Sequence, residues 1–232
     1  MVVWHSVFVL LMAASVATAM AADRPFLGTS SATAEEDDDN VWSVESWLAR
    51  RGGVRTWSIA PEYAFNPTNS VQIELTRARE RAARQTELSA ELEAKHLFNH
   101  IARDGYGIGV VAALTWQKGG DGGWRRAGAA LNVPFTWAFG ESGVALHVNG
   151  GVDKTVGERR AWTRSVALEG EVARRTTLFA ELAREGSDRL SHAGVRWWAQ
   201  REKLALDLSW QRTRSDGGHA SGIVFGLGFY DL

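Results

Sequence analysis

The chain of 232 residues has no cysteine, only four prolines and almost no net charge. Without cysteine there are no disulfides and no thiolate-bound metals. A formal charge of −1 offers no basic face of the kind nucleic acid requires, so nucleic acid is not expected as a partner. The apolar run at residues 7–14 falls short of the roughly 18 residues that a spanning helix needs. Gly-x-Ser-x-Gly, phosphate-loop and dinucleotide fingerprints are all missing, and no cofactor is implied. What the chain does have is eleven tryptophans and 24 glycines, and both need a location.

Residues 124–152 supply one. Ala127, Ala129, Leu131, Val133, Phe135, Trp137 and Phe139 take every second position, with Gly128, Asn132, Thr136 and other small residues between them. After Gly140-Glu141-Ser142, Val144, Leu146, Val148 and Val152 alternate with Ala145, His147, Asn149 and Asp153. A period of two means strands, because successive side chains point to opposite faces. Strands this long exceed the usual five or six residues of soluble sheets and match the roughly ten, tilted, that cross a bilayer.

The same pattern recurs from Val41 to Leu232, giving about twelve strands. The fold class expected is all-β, a transmembrane antiparallel up-and-down β-barrel over residues 41–232. Residues 76–98 are ambiguous, since helix formers fill them. The unbroken alternation from Glu87 to Lys95 favours a strand. With a periplasmic N-terminus, the Gly-rich loops at residues 119–123 and 213–219 would be the long outer ones, and the connections at 66–69, 140–142 and 173–176 the short inner ones. Trp57, Trp116, Trp162 and Trp210 then mark one membrane interface. Tyr63, Tyr106, Trp137, Phe139, Trp197 and Phe229 mark the other. Trp47 and Trp124 break the parity, which places them in loops or at strand rims.

Two segments precede the barrel. Residues 1–22 read as a signal peptide, with Ala17-Thr18-Ala19 and Ala19-Met20-Ala21 as small-x-small cleavage sites. Residues 23–40 end in Glu-Glu-Asp-Asp-Asp-Asn, show no periodicity and read as a disordered acidic lead-in.

The face opposite the apolar one carries Glu62, Glu74, Glu91, Glu93, His147, Asp153, Glu169, Glu171, Glu181, His192, Arg196 and Asp207, with Glu87 and Lys95 beside them. In a soluble barrel these would be costly core charges; in a membrane barrel they line a polar lumen. Acids outnumber bases there. That suggests a cation-preferring path for small solutes, or else a salt-bridged plug. Glu93, His96 and His100 have metal-ligand spacing only on a helix. His147 among lumenal Ser and Asn invites a lipid-hydrolase reading, but no nucleophile elbow accompanies it.

The C-terminal Gly226-Leu227-Gly228-Phe229-Tyr230-Asp231-Leu232 resembles the alternating aromatic end by which the barrel assembly machinery recognises its substrates. Residues 54–232 resemble the outer-membrane transporter family associated with the meta-pathway of phenol degradation. The matching pieces are Ala60-Pro61-Glu62-Tyr63, Glu93-Ala94-Lys95 before Gly107-Ile108-Gly109, and Ala193-Gly194-Val195-Arg196-Trp197-Trp198 before Leu204-Ala205-Leu206-Asp207. The resemblance implies an outer-membrane barrel of transporter type, embedded in lipid; a small solute is the expected cargo, and the missing nucleophile elbow speaks against an enzyme. The alternatives are a non-conducting structural or adhesion barrel and, behind it, a barrel lipid hydrolase.

The leader generates a first prediction. The mature protein should begin near residues 20–23 and fractionate with the outer membrane, as read by N-terminal sequencing of each cell fraction. An intact N-terminus in the cytosol contradicts it.

Overall fold

The computed structural model describes residues 24–80, 85–119 and 122–232, so the leader expected at residues 1–22 lies outside the described residues. Twelve strands make one closed barrel: β1 (Val41–Arg51), β2 (Val54–Asn66), β3 (Asn69–Glu80), β4 (Thr86–Leu97), β5 (Tyr106–Gly119), β6 (Arg125–Ala138), β7 (Val144–Thr155), β8 (Ala161–Ala173), β9 (Thr176–Glu185), β10 (Asp188–Gln200), β11 (Leu204–Ser215) and β12 (Gly218–Phe229). Each is antiparallel to the next, and β12 closes on β1 from Val44 opposite Phe229 to Arg51 opposite Gly222. The C-terminal Leu232 extends the seam by exchanging backbone hydrogen bonds with Trp42. No strand edge is left open, which is what hydrocarbon demands of a sheet. Among the described residues no helix is long and apolar enough to span, which says nothing of strands.

Burial fixes the faces. On β6, Leu131 and Val133 are 48% and 44% exposed while Asn132 between them is fully buried. Apolar residues therefore point out and polar ones point in, the reverse of a soluble barrel. β4 is a strand throughout, so inward contacts override the helix propensity of its residues. Glu93 consequently faces inward while His96 faces outward, and the helical metal spacing does not form.

Three expectations are corrected. Trp47 is not at a rim: it faces the lumen in mid-β1 and is buried, whereas Trp124 is exposed just before β6. Among the described residues loop lengths show no long-outer, short-inner asymmetry. β11 and β12 join through the two-residue turn Asp216-Gly217, and the longest connection described, residues 98–105 with the short helix α1 (Ile101–Asp104), lies at the N-terminal end.

The third correction concerns residues 24–40. They form no helix or strand, yet they are not a tail: Phe26, Leu27, Ser31, Ala32 and Ala34 have essentially no exposed surface. A segment with too little apolar surface to build its own core can still be ordered when a polar wall satisfies its backbone.

The orientation of β6 yields a prediction. Leu131→Arg puts a charge at a lipid-facing position and should cost about 2–4 kcal/mol of folding stability in lipid vesicles, measured by urea titration. Loss of less than about 1 kcal/mol, or cooperative folding of the parent in plain buffer, contradicts a lipid-facing Leu131.

Candidate functional site

The site is the lumen, and residues 24–37 occupy it as a strap. Traced from residue 37 back to residue 24, the strap visits the wall in barrel order. Asp37 pairs with Lys95 of β4 at 3.0 Å, and Glu36 with His100 at 3.1 Å. The Ala34 amide donates to Thr136 of β6. Asn149 of β7 clamps Ala32 on both sides, accepting from its N–H and donating to its carbonyl, each at 3.1 Å. Glu181 of β9 takes three donors into one oxygen: the amides of Ser30 and Ser31 and the Ser31 hydroxyl, at 2.7–2.9 Å. Asp207 of β11 accepts the Leu27 amide and Gln211 donates to the Gly28 carbonyl. Arg24 then lies over the Trp47 ring of β1 and pairs with Glu74 of β3 at 2.5 Å. From β4 round to β3, the strap makes one circuit of the inner wall.

Small residues make this possible. A Cβ on Gly107 would lie 1.8 Å from the Ala34 carbonyl oxygen, and one on Gly226 would lie 2.4 Å from the Leu27 side chain. Both glycines face inward, so the strap backbone can approach the wall.

Two charged clusters flank the strap. Glu45, Glu74, Glu91 and Glu93 lie within electrostatic reach of Arg24, and Glu91 accepts from Thr115 at 2.8 Å. Beside them, Arg196 grips Asp207 through both guanidinium arms at 2.8 and 2.9 Å, with Phe26, Trp198 and Tyr230 around it. Phe26 stacks on Phe179 at 3.8 Å, and the Tyr230 hydroxyl donates to Glu45. Removing one partner of such a buried pair leaves the other charge uncompensated, at a cost of about 3–5 kcal/mol.

Glu62, Glu74, Glu91, Glu93, His147, Glu181, His192, Arg196 and Asp207 are all buried on the inward face. Asp153 is half-buried near the opposite mouth, close to Glu185, Asp188 and Glu158. Glu169 faces His147 at 3.5 Å. Glu171 sits exposed at the N-terminal rim, paired with Arg201. Trp57, Trp137, Trp162, Trp197, Trp210, Tyr106, Phe139 and Phe229 are exposed on the outside, and Tyr63 and Trp116 are partly covered there. Tyr63 packs between Trp42 and Phe65, each 5.0 Å away. Among the described residues no group of three or more His, Cys, Asp or Glu is placed to hold a metal.

Ser209, His192 and Glu181 resemble a hydrolytic triad, with spacings of 2.7 and 3.5 Å. All three are buried against the strap, and the strap already occupies one Glu181 oxygen. The group lies on the inward face of β9, β10 and β11, away from the apolar exterior.

Sequence reading missed the strap and its anchors Asn149, Thr136 and Gln211. The available signal was the row of inward glycines on β5 and β12: small lumenal residues imply that something packs against them.

No protein-family model matches the chain, and no curated protein matches it. Solved structures do. The KdgM porin superposes with a TM-score of 0.64 at 9% identity, over 82% of this chain and 99% of that one. The NanC porin gives 0.63 at 6% identity, over 82% and 100%. Omp33 of Acinetobacter baumannii gives 0.52 at 8% identity, over 83% and 98%. The likeness is one of fold. The chain is a porin-like twelve-stranded β-barrel.

The anchors generate a prediction. Ala32→Cys introduces a single thiol into a chain that has none. A membrane-impermeant maleimide should label it slowly. Adding Glu181→Gln, which removes the carboxylate holding three strap donors, should raise the rate about tenfold or more. Equal rates with and without Glu181→Gln contradict a strap held by that carboxylate.

Proposed function

We propose that this protein is a channel for small polar solutes in the bacterial outer membrane, exported by a leader at residues 1–22 and closed by its own strap. The observation carrying this reading is how the strap is held. Its amides and carbonyls bond to separate side chains on β6, β7, β9 and β11, and Phe26, Leu27 and Ala32 add apolar contacts with Phe179, Trp47 and Val111. Each bond is worth about 1 kcal/mol net, or about 1.5–3 where Glu181 or Asp207 accepts, and none belongs to the backbone ladder, so the segment can leave without dismantling the barrel.

Once the strap leaves, the wall it exposes is acidic. Glu45, Glu74, Glu91 and Glu93 lose Arg24 as a counter-charge, and Asp153, Glu185 and Asp188 stand near the far mouth. Rings of carboxylates favour cations. The resemblance to transporters associated with the phenol meta-pathway supports the channel reading and carries no solute identity. The buried, strap-occupied Ser209–His192–Glu181 group supports a non-catalytic role. The filled lumen favours a second reading, a non-conducting structural barrel.

Planar-bilayer recording separates the two. The parent should be mostly closed, and a variant combining Glu181→Gln with Asn149→Ala should open for long periods with cation preference. Adding Glu74→Gln, Glu91→Gln and Glu93→Gln should then move the reversal potential towards zero. Silence in every variant supports the structural barrel. Unchanged selectivity removes the acid wall as the filter.

A further inference from the structure

The outside of the barrel is charged on one sign only. Among the described residues, outward strand positions carry no Asp or Glu; their carboxylates all face the lumen or sit in turns. Arginine, by contrast, follows the apolar stretch on strand after strand at the end away from the N-terminus. Arg50 follows Leu48, Arg55 lies beyond Trp57, and Arg77 and Arg79 follow Leu75. Arg184 follows Leu182, and Arg212 and Arg214 follow Trp210. The other end presents Trp42, Phe65, Tyr106 and Trp137 instead.

The register sharpens this. Arginine stands directly opposite arginine on neighbouring strands. Arg50 faces Arg55 and Arg55 faces Arg79. Arg164 faces Arg184, Arg184 faces Arg189 and Arg189 faces Arg214, which in turn faces His219. Two arcs result, one over β1–β3 and one over β8–β12. Among the described residues none of these arginines forms an ion pair. Like charges directly opposite across a sheet repel, and here no protein anion relieves them.

An anion that does relieve them must lie at headgroup depth, in one leaflet, and span several strands. Guanidinium groups pair phosphate through two parallel hydrogen bonds, and repeated pairing at adjacent strands needs phosphates carried close together. We propose that the two arginine arcs are docking surfaces for a glycolipid headgroup bearing more than one phosphate, of the lipid A type, in the outer leaflet. This rests on the outer-membrane reading above and places the end away from the N-terminus outside. A scattered glycerophospholipid phosphate would satisfy one arginine at a time and leave the neighbouring pair unrelieved.

The test compares three vesicle compositions: phosphatidylcholine alone, with phosphatidylglycerol, and with bisphosphorylated lipid A at equal charge. Two variants are used, one carrying Arg164→Gln, Arg184→Gln, Arg189→Gln and Arg214→Gln, the other Arg50→Gln, Arg55→Gln and Arg79→Gln. Insertion is checked by heat-modifiable migration, and retained lipid is read by native mass spectrometry. The parent should retain lipid A about tenfold or more over phosphatidylglycerol, and each variant should lose most of that preference. In phosphatidylcholine the variants should unfold at equal or higher urea than the parent, and in lipid A at lower urea. Should one variant fail to insert, the other arc decides. Equal retention of both anionic lipids, unchanged retention in an inserted variant, or no reversal of the stability order overturns the proposal. Failure of the parent to insert into any vesicle overturns the membrane reading instead.

Discussion

Backbone hydrogen bonding without water sets the terms for everything else in this barrel. In hydrocarbon no N–H or C=O can be left over, so the sheet must close, and the β1–β12 seam is where it does. Closure fixes the two faces absolutely. A one-residue slip of any strand would place Glu62 or Asn132 in lipid and Trp57 or Leu131 inside. The apolar exterior and polar interior are consequences of that single constraint.

A polar interior creates the next problem. Twelve strands enclose more space than their inward side chains fill, particularly where glycines line β5 and β12. The strap fills it. Its backbone supplies donors for Glu181 and Asp207, and its Arg24 supplies charge to the acids around Glu74. The wall and the strap are therefore complementary: acids that would repel each other in an empty lumen are partnered while the strap is in place. Withdrawing the strap would exchange those partners for water and ions and uncover Phe26 and Leu27, so electrostatics and apolar burial both hold it in place.

Periodicity made the barrel legible in the sequence because its strands alternate over ten or more residues with few breaks, Trp47 among them. Even β4, rich in helix formers, kept its parity, and its faces followed. The lumenal acids were readable for the same reason: Glu74, Glu91 and Glu93 occupy positions that only a polar interior tolerates. The strap was invisible to that reasoning. It has no period, and its anchors lie far along the chain, Ala32 on Asn149 and Ser31 on Glu181 more than a hundred residues away. Polar composition reads as disorder, but a polar segment orders readily where the wall is polar too. Loop asymmetry failed because β11 and β12 extend to a two-residue turn, so a Gly-rich stretch became strand and not loop. The arginine arcs were present in the same alternation, but only strand register reveals that arginines face one another.

The central claim is that residues 24–37 sit in the lumen of the membrane-embedded protein. Hydrogen–deuterium exchange of the protein in lipid vesicles, read by mass spectrometry on peptides covering residues 26–34, tests it most directly. The amides of Leu27, Ser30, Ser31, Ala32 and Ala34 are each bonded to the wall, so they should exchange far more slowly than a free peptide. Exchange of that peptide at free-chain rates, while the strands stay protected, would show an open lumen and contradict the account.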